Sequence, residues 1–157
     1  MVDVVIAIAR GGRETSSRLA RALGVPNYEI VARHNTSDDP WSGTFKSVDV
    51  ESPTIPATDI KGHILLVDDI CGSGQTLRAV REVLAGVGAR YMTSVTLCRN
   101  EGSDLCPDLW LWTVRDWVVF PWEPLPPGLT TETLRCPIVV SFRDGTTSTQ
   151  SQVEPWS

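Results

Sequence analysis

The chain has 157 residues, 41% of them hydrophobic and 21% charged, and a formal net charge of −5. That length suits one domain whose core needs neither metal nor disulfide, and the acidic balance argues against a general nucleic-acid binder. The opening MVDVVIAIARGG is too short an apolar run, with the wrong flanks, for a signal peptide or a membrane span, so a cytoplasmic protein with no membrane partner is expected.

Val2–Ala9 is a continuous apolar run and reads as a buried parallel strand. Arg10-Gly11-Gly12 makes a turn, and Thr15 to Leu23 reads as a helix with Leu19, Ala20 and Leu23 on one face and Gly24 as its stop. Asn27–Ala32 is a second strand. From Arg33 to about Asp59 the chain is polar and irregular, with Pro40, Gly43, Pro53 and Pro56, and loops of that length are usually functional or mobile. Ile64–Val67 is the central strand; Asp68 and Asp69 follow it, then the small-residue loop from Ile70 to Thr76. A helix runs on to about Gly86 with Leu77, Val80 and Leu84 at helical spacing. Tyr91–Leu97 is a strand, and Leu109–Val114 and Trp117–Phe120 are short aromatic-rich ones. Strands alternating with helices predict an α/β fold with a mostly parallel central sheet flanked by helices. Beyond Glu123 the prolines Pro124, Pro126 and Pro127 break the pattern, Pro137–Phe142 reads as a strand, and Arg143-Asp144-Gly145-Thr146 as a hairpin turn. The chain therefore divides into a main domain over 1–123 and a C-terminal extension over 124–157, packed on the same domain.

The segment ILLVDDICGSGQTL carries the chemistry. Ligands of open α/β sheets bind at the C-terminal ends of strands, and a helix N-terminus offers N–H groups and partial positive charge to a phosphate. Two acids just before such a cradle suit a ligand with both a phosphate and vicinal hydroxyls. The plainer alternative is a strand-turn-helix whose acids merely cap the helix. No Gly-Lys-Ser/Thr follows the glycines, which excludes a nucleotide P-loop. Arg10, at the end of the first strand, offers charge-assisted bonds to a phosphate. The cysteines Cys71, Cys98, Cys106 and Cys136 form no C-x-x-C pair, and with His34 and His63 as the only histidines a zinc site is not indicated. They read as reduced thiols, with Cys71 either a reactive group beside the helix N-terminus or a small loop filler.

Asp68, Asp69, Ile70, Ser73, Gly74 and Thr76 resemble the phosphoribosyl-pyrophosphate signature of type I phosphoribosyltransferases. Ala9-Arg10-Gly11-Gly12 is similar to the pyrophosphate loop of the xanthine–guanine and hypoxanthine-type members. Trp117-Val118-Val119-Phe120-Pro121-Trp122-Glu123 resembles the Trp-x-x-x-Pro-Trp-acid segment of xanthine–guanine phosphoribosyltransferase-like proteins. The resemblance covers roughly Val2 to Glu123. It implies the type I fold, with a small C-terminal hood and here an extra C-terminal hairpin. It implies transfer of the 5-phosphoribosyl group from phosphoribosyl pyrophosphate to a nitrogen of a purine or purine-like base, releasing pyrophosphate. The alternative is a non-catalytic regulatory module that binds phosphoribosyl pyrophosphate or a nucleotide.

Residue by residue, the resemblance gives Asp68 and Asp69 to the ribose hydroxyls and, through water or ribose, to Mg²⁺. It gives Cys71, Gly72, Ser73, Gly74, Gln75 and Thr76 to the 5′-phosphate, Arg10 and Gly11 to pyrophosphate, and Arg99, Trp117 and Val118 to the base. The polar stretch Arg33–Val48 falls where the family carries its flexible loop, with Arg33 or Lys46 in reach of pyrophosphate on closure. The expected partners are the sugar donor and a heterocyclic base, in a homo-oligomer, a dimer or tetramer. Two departures leave the base open: Arg99 stands where purine members usually have Lys, and Gly72 where they usually have Asp.

Overall fold

The computed structural model describes residues 1–35, 47–115, 118–124, 139–142 and 147–149. These residues build one sheet of eight strands in the order β3-β2-β1-β4-β5-β6-β7-β8. The strands are β1 (Val4–Ala9), β2 (Asn27–Asn35), β3 (Ser47–Val50), β4 (His63–Cys71), β5 (Tyr91–Asn100), β6 (Leu109–Val114), β7 (Val139–Phe142) and β8 (Thr147–Thr149). β2, β1, β4, β5 and β6 run parallel, while β3, β7 and β8 join antiparallel.

β1 is buried at every position because both sheet faces are covered. Val4, Ile6 and Ile8 pack on one face with Ile64 and Leu66 of β4 and with Leu77, Val80 and Leu84 of helix α3 (Gln75–Gly86). Val5, Leu65 and Val67 face the other way, against Ala20 of helix α1 (Arg13–Leu23). Successive strand residues point to opposite faces, so one apolar run serves two helices. α1 begins two residues earlier than its pattern predicts and ends at Gly24, in the left-handed region at φ 69°, whose N–H caps the last carbonyls.

The structure corrects several expected boundaries. β4 continues through both acids to Cys71, because its pairing with β5 runs on through Asp68↔Thr96, Ile70↔Cys98 and Cys71↔Arg99. The polar stretch after Ala32 is not wholly irregular. β2 extends to Asn35 and pairs with β3, and Ala57–Ile60 forms the short helix α2. Residues 36–46 of that stretch, Lys46 included, lie outside the described residues. Val118–Phe120 is not a strand. There the Phe120 N–H donates to the Glu123 carboxylate (3.0 Å) and the Glu123 N–H to the Phe120 carbonyl (2.9 Å), so a turn takes the bonds a sheet would have taken. The tail hairpin is present as β7 and β8, hydrogen-bonded onto β6, although the turn expected at 143–146 lies outside the described residues.

Chain order reverses between β1 and β4. From β1 the chain moves to β2 on one side, and from β4 to β5 and β6 on the other. The gap between the C-terminal ends of β1 and β4 is thus the switch point where such sheets bind ligands.

Candidate active site

A cleft of about 1030 Å³ opens at this switch point. The turn after β1 supplies Arg10 and Gly11; the end of β4 and the loop to α3 supply Asp68, Asp69, Cys71, Gly72, Ser73, Gly74 and Thr76. The register Ala7↔Val67 brings the two segments level. They meet so closely that a Cβ on Gly11 would stand 2.5 Å from Asp69 Oδ2. Only glycine lets the turn reach the carboxylate. The peptide bond between Ala9 and Arg10 is cis.

The acids do not cap the helix. The N-cap of α3 is Gly74, at φ 86°, with no side-chain bond. A Cβ there would also press on Leu105. Gly74 has no side chain with which to cap the first turn of α3, whose N-terminal end borders the cleft, and Ser73 Oγ accepts a long bond (3.4 Å) from the Gln75 N–H. Gln75 itself is exposed and does not line the cleft.

Asp68 is half-buried and Asp69 buried. Burial, then repulsion from Asp69, raises the Asp68 carboxyl well above its ordinary pKa. Burial, then the charge of Glu123, raises Asp69. Asp68 Oδ1 accepts the Asp69 N–H at 3.0 Å. Such a pair favours hydroxyl donors or a nearby cation, either of which restores its charged form. Four arginines line the cleft. Arg13 pairs with Glu29, Arg33 with Glu51 and Arg115 with Glu101, whereas Arg10 makes no ion pair among the described residues. Arg10 is exposed.

Cys71 ends β4 rather than lying in the loop, and it packs inward. It is 3% exposed, its thiol donates to the Leu105 carbonyl (3.2 Å), and burial raises its pKa. Cys98 is also a free thiol.

Residues 1–126 match the family model of the phosphoribosyl transferase domain. The chain belongs to this family. Xanthine-guanine phosphoribosyltransferase of Gluconobacter oxydans is 31% identical over 123 residues, spanning 78% of this chain and 69% of that protein. The enzyme of the same name from Chromohalobacter salexigens is 30% identical, over 76% and 67%. Among solved structures, purine phosphoribosyltransferase from Pyrococcus horikoshii aligns with a TM-score of 0.64 and 30% identity, covering 83% of this chain and 82% of that one. Helicobacter pylori xanthine-guanine-hypoxanthine phosphoribosyltransferase aligns with a TM-score of 0.63 and 25% identity, covering 77% and 75%.

In this phosphoribosyl transferase domain the Arg10–Gly11 turn and the loop before α3 line one cleft, and Val118 and Phe120 line it too. Trp117 lies outside the described residues. Arg99 does not reach the cleft: its guanidinium lies over the Trp110 ring, 5.6 Å from the centroid, and donates to the Ser103 carbonyl (3.3 Å). Thr96, Asn100, Arg115, Phe120 and Glu123 line the cleft without having been singled out as site residues from sequence. For Asn100 a signal existed, since it ends a parallel strand. Thr96 carried none, because threonine in a strand is ordinary. No helix among the described residues is long and apolar enough to cross a membrane.

Proposed function

We propose that this protein transfers the 5-phosphoribosyl group of phosphoribosyl pyrophosphate to a ring nitrogen of a purine or purine-like base and releases pyrophosphate. The observation that carries the reading is the meeting of the Arg10–Gly11 turn with Asp69 at one cleft, beside the start of α3. The names of the purine-acting relatives support transfer over the binding-only alternative.

In this reading Arg10 and the Gly11 N–H hold the departing pyrophosphate. Asp68 and Asp69 accept the ribose hydroxyls, and the N–H groups from Cys71 to Thr76, with the Ser73 and Thr76 hydroxyls, take the 5′-phosphate. Holding the leaving group is the main electrostatic task. The base lies against the segment after β6, with Trp117 and the Val118 backbone, while Arg99, engaged with Trp110 and Ser103, props the 100–105 loop. Mg²⁺ fits the donor set: among the described residues no cluster of three or more His, Cys, Asp or Glu makes a full cage, and a proton-favouring carboxylate pair suits an ion that keeps waters and arrives on phosphates. Bound there, it would neutralise charge on pyrophosphate, with Asp68 and Asp69 meeting it through water or ribose. Assembly as a dimer or tetramer, a cytoplasmic location, and a tail over 124–157 packed on the same domain through the β6–β7 pairing complete the proposal.

The test is Mg²⁺-dependent pyrophosphate release from phosphoribosyl pyrophosphate across purine, pyrimidine and deazapurine acceptors. Release with a purine or purine-like acceptor is expected. Donor binding without release for any acceptor would refute transfer in favour of the binding-only alternative.

A further inference from the structure

The loop between β4 and α3 is braced at both ends by one residue. Residues 72–74 join Cys71, the last of β4, to Gln75, the first of α3. In the middle of this loop Gly72 and Ser73 are exposed, and a Cβ on Gly72 would meet nothing within 4 Å. At its start the Cys71 thiol donates to the Leu105 carbonyl (3.2 Å). At its end the three atoms nearest to a Cβ on Gly74 all belong to Leu105, its Cβ at 2.5 Å and its Cα and N at 3.3 Å. The Gly74 carbonyl accepts the Arg78 N–H (3.0 Å), the bond that opens α3. Contact with Leu105 at Gly74 therefore sets where the helix begins.

Leu105 is itself held. It lies in residues 101–108, between β5 and β6. Its carbonyl also accepts the Ser103 hydroxyl (2.7 Å), and the Ser103 carbonyl accepts the Arg99 guanidinium, which lies over the Trp110 ring. The Ser103 N–H donates to the Asn100 carbonyl (3.0 Å). The Leu105 side chain is half-buried and packs on the core cluster that contains Cys71 and Leu77. Leu105 does not line the cleft.

We infer that Leu105 is a positioning residue for the sugar donor: it presets the loop that takes the 5′-phosphate and never touches the ligand. This rests on the transferase reading above. A loop already fixed in its binding conformation binds more tightly, because the cost of ordering it has been removed. Leu105 acts on the loop before α3 and not on the Arg10–Gly11 turn, so its loss weakens the phosphate end of the donor and spares the pyrophosphate end.

The experiment compares the full chain with Leu105→Ala, which keeps the carbonyl and removes the side chain, and with Leu105→Met, which refills the space. Ribose 5-phosphate and inorganic pyrophosphate are titrated separately by calorimetry with Mg²⁺, and the KM of donor and acceptor are measured. Leu105→Ala is expected to weaken ribose 5-phosphate about tenfold, the worth of one charge-assisted hydrogen bond. The donor KM should rise in step, while pyrophosphate affinity and acceptor KM stay within about twofold of wild type. Leu105→Met should restore ribose 5-phosphate binding. Unchanged ribose 5-phosphate affinity in Leu105→Ala overturns the assignment, as does an equal loss for pyrophosphate, which a merely structural role would produce. Should Leu105→Ala fail to fold, Ser103→Ala removes one bond from the Leu105 carbonyl. It is expected to weaken ribose 5-phosphate about threefold at unchanged pyrophosphate affinity, and equal affinities would overturn the assignment. A wild-type chain that bound ribose 5-phosphate but released pyrophosphate with no acceptor would sink the transferase reading alone.

Discussion

Gly11→Ala tests the closest approach in the cleft. The new Cβ would stand 2.5 Å from Asp69 Oδ2, against at least 3.4 Å for an ordinary contact, so the turn or the carboxylate must give by about 1 Å. Gly11 has no positive φ, so alanine suffers no backbone penalty and the effect isolates the approach itself. Misplacing a reacting group by about 1 Å costs on the order of 100-fold in rate, equivalent to about 2.7 kcal/mol of transition-state stabilisation. Overpacking a well-packed site costs about 1–3 kcal/mol of stability, toward the lower end here because Gly11 is only half-buried. The assay is pyrophosphate release with varied donor, alongside a thermal melt. Gly86→Ala is the control, since a Cβ there meets nothing within 4 Å and the residue lies at the far end of α3. A Gly11→Ala protein with kcat/KM for the donor within about twofold of wild type would refute the claim that the turn and Asp69 act as one positioned unit.

Asp69→Asn should abolish most turnover while leaving the fold at least as stable at neutral pH. In the folded chain both carboxyls are raised, so the folded state holds protons that the unfolded chain has already released. The stabilising contribution of the pair is full below the ordinary carboxylate value of 3.8 and is lost as pH rises through the raised values. Urea unfolding from about pH 5 to about pH 8 should show wild type losing more stability than Asp69→Asn; parallel profiles would contradict the repulsion. Burial pushes the Cys98 thiol up to about 11 and raises Cys71 as well. Mass spectrometry after iodoacetamide treatment of the folded protein at about pH 8 should find both unmodified, and rapid labelling of Cys71 would restore the reactive-thiol reading.

The arrangement proposed as a phosphate cradle was legible because its parts are contiguous. A strand, two acids, a small-residue loop and a helix start occupy fourteen consecutive residues, Ile64 to Leu77, and their order alone dictates that acids and helix N-terminus share one end of the sheet. The end of β4 was misjudged for a related reason: acids and glycine read as loop, but the ladder to β5 carries the strand on past them. Val118–Phe120 failed in the opposite direction. Its residues favour strands, yet the Glu123 carboxylate and the Phe120–Trp122 stack, with centroids 5.0 Å apart, fold it into a turn. The resemblance gave Arg99 to the base, but its planar cation lies over the ring of Trp110.

The sequence by itself determined the α/β class, the burial of β1 and β4, and the placing of the Asp68–Thr76 segment at the C-terminal end of the sheet, because hydrophobic periodicity and local order are properties of neighbouring residues. Only the tertiary structure decided that Gly11 comes up against Asp69, that Glu123 adds its charge to the pair, that Arg10 alone among the cleft's arginines makes no ion pair with the described residues, and that the buried Thr96 hydroxyl has no hydrogen-bond partner among the described residues. Each of these depends on strand register and on contacts between residues distant in the chain, and a parallel sheet sets both through pairing that no local pattern encodes.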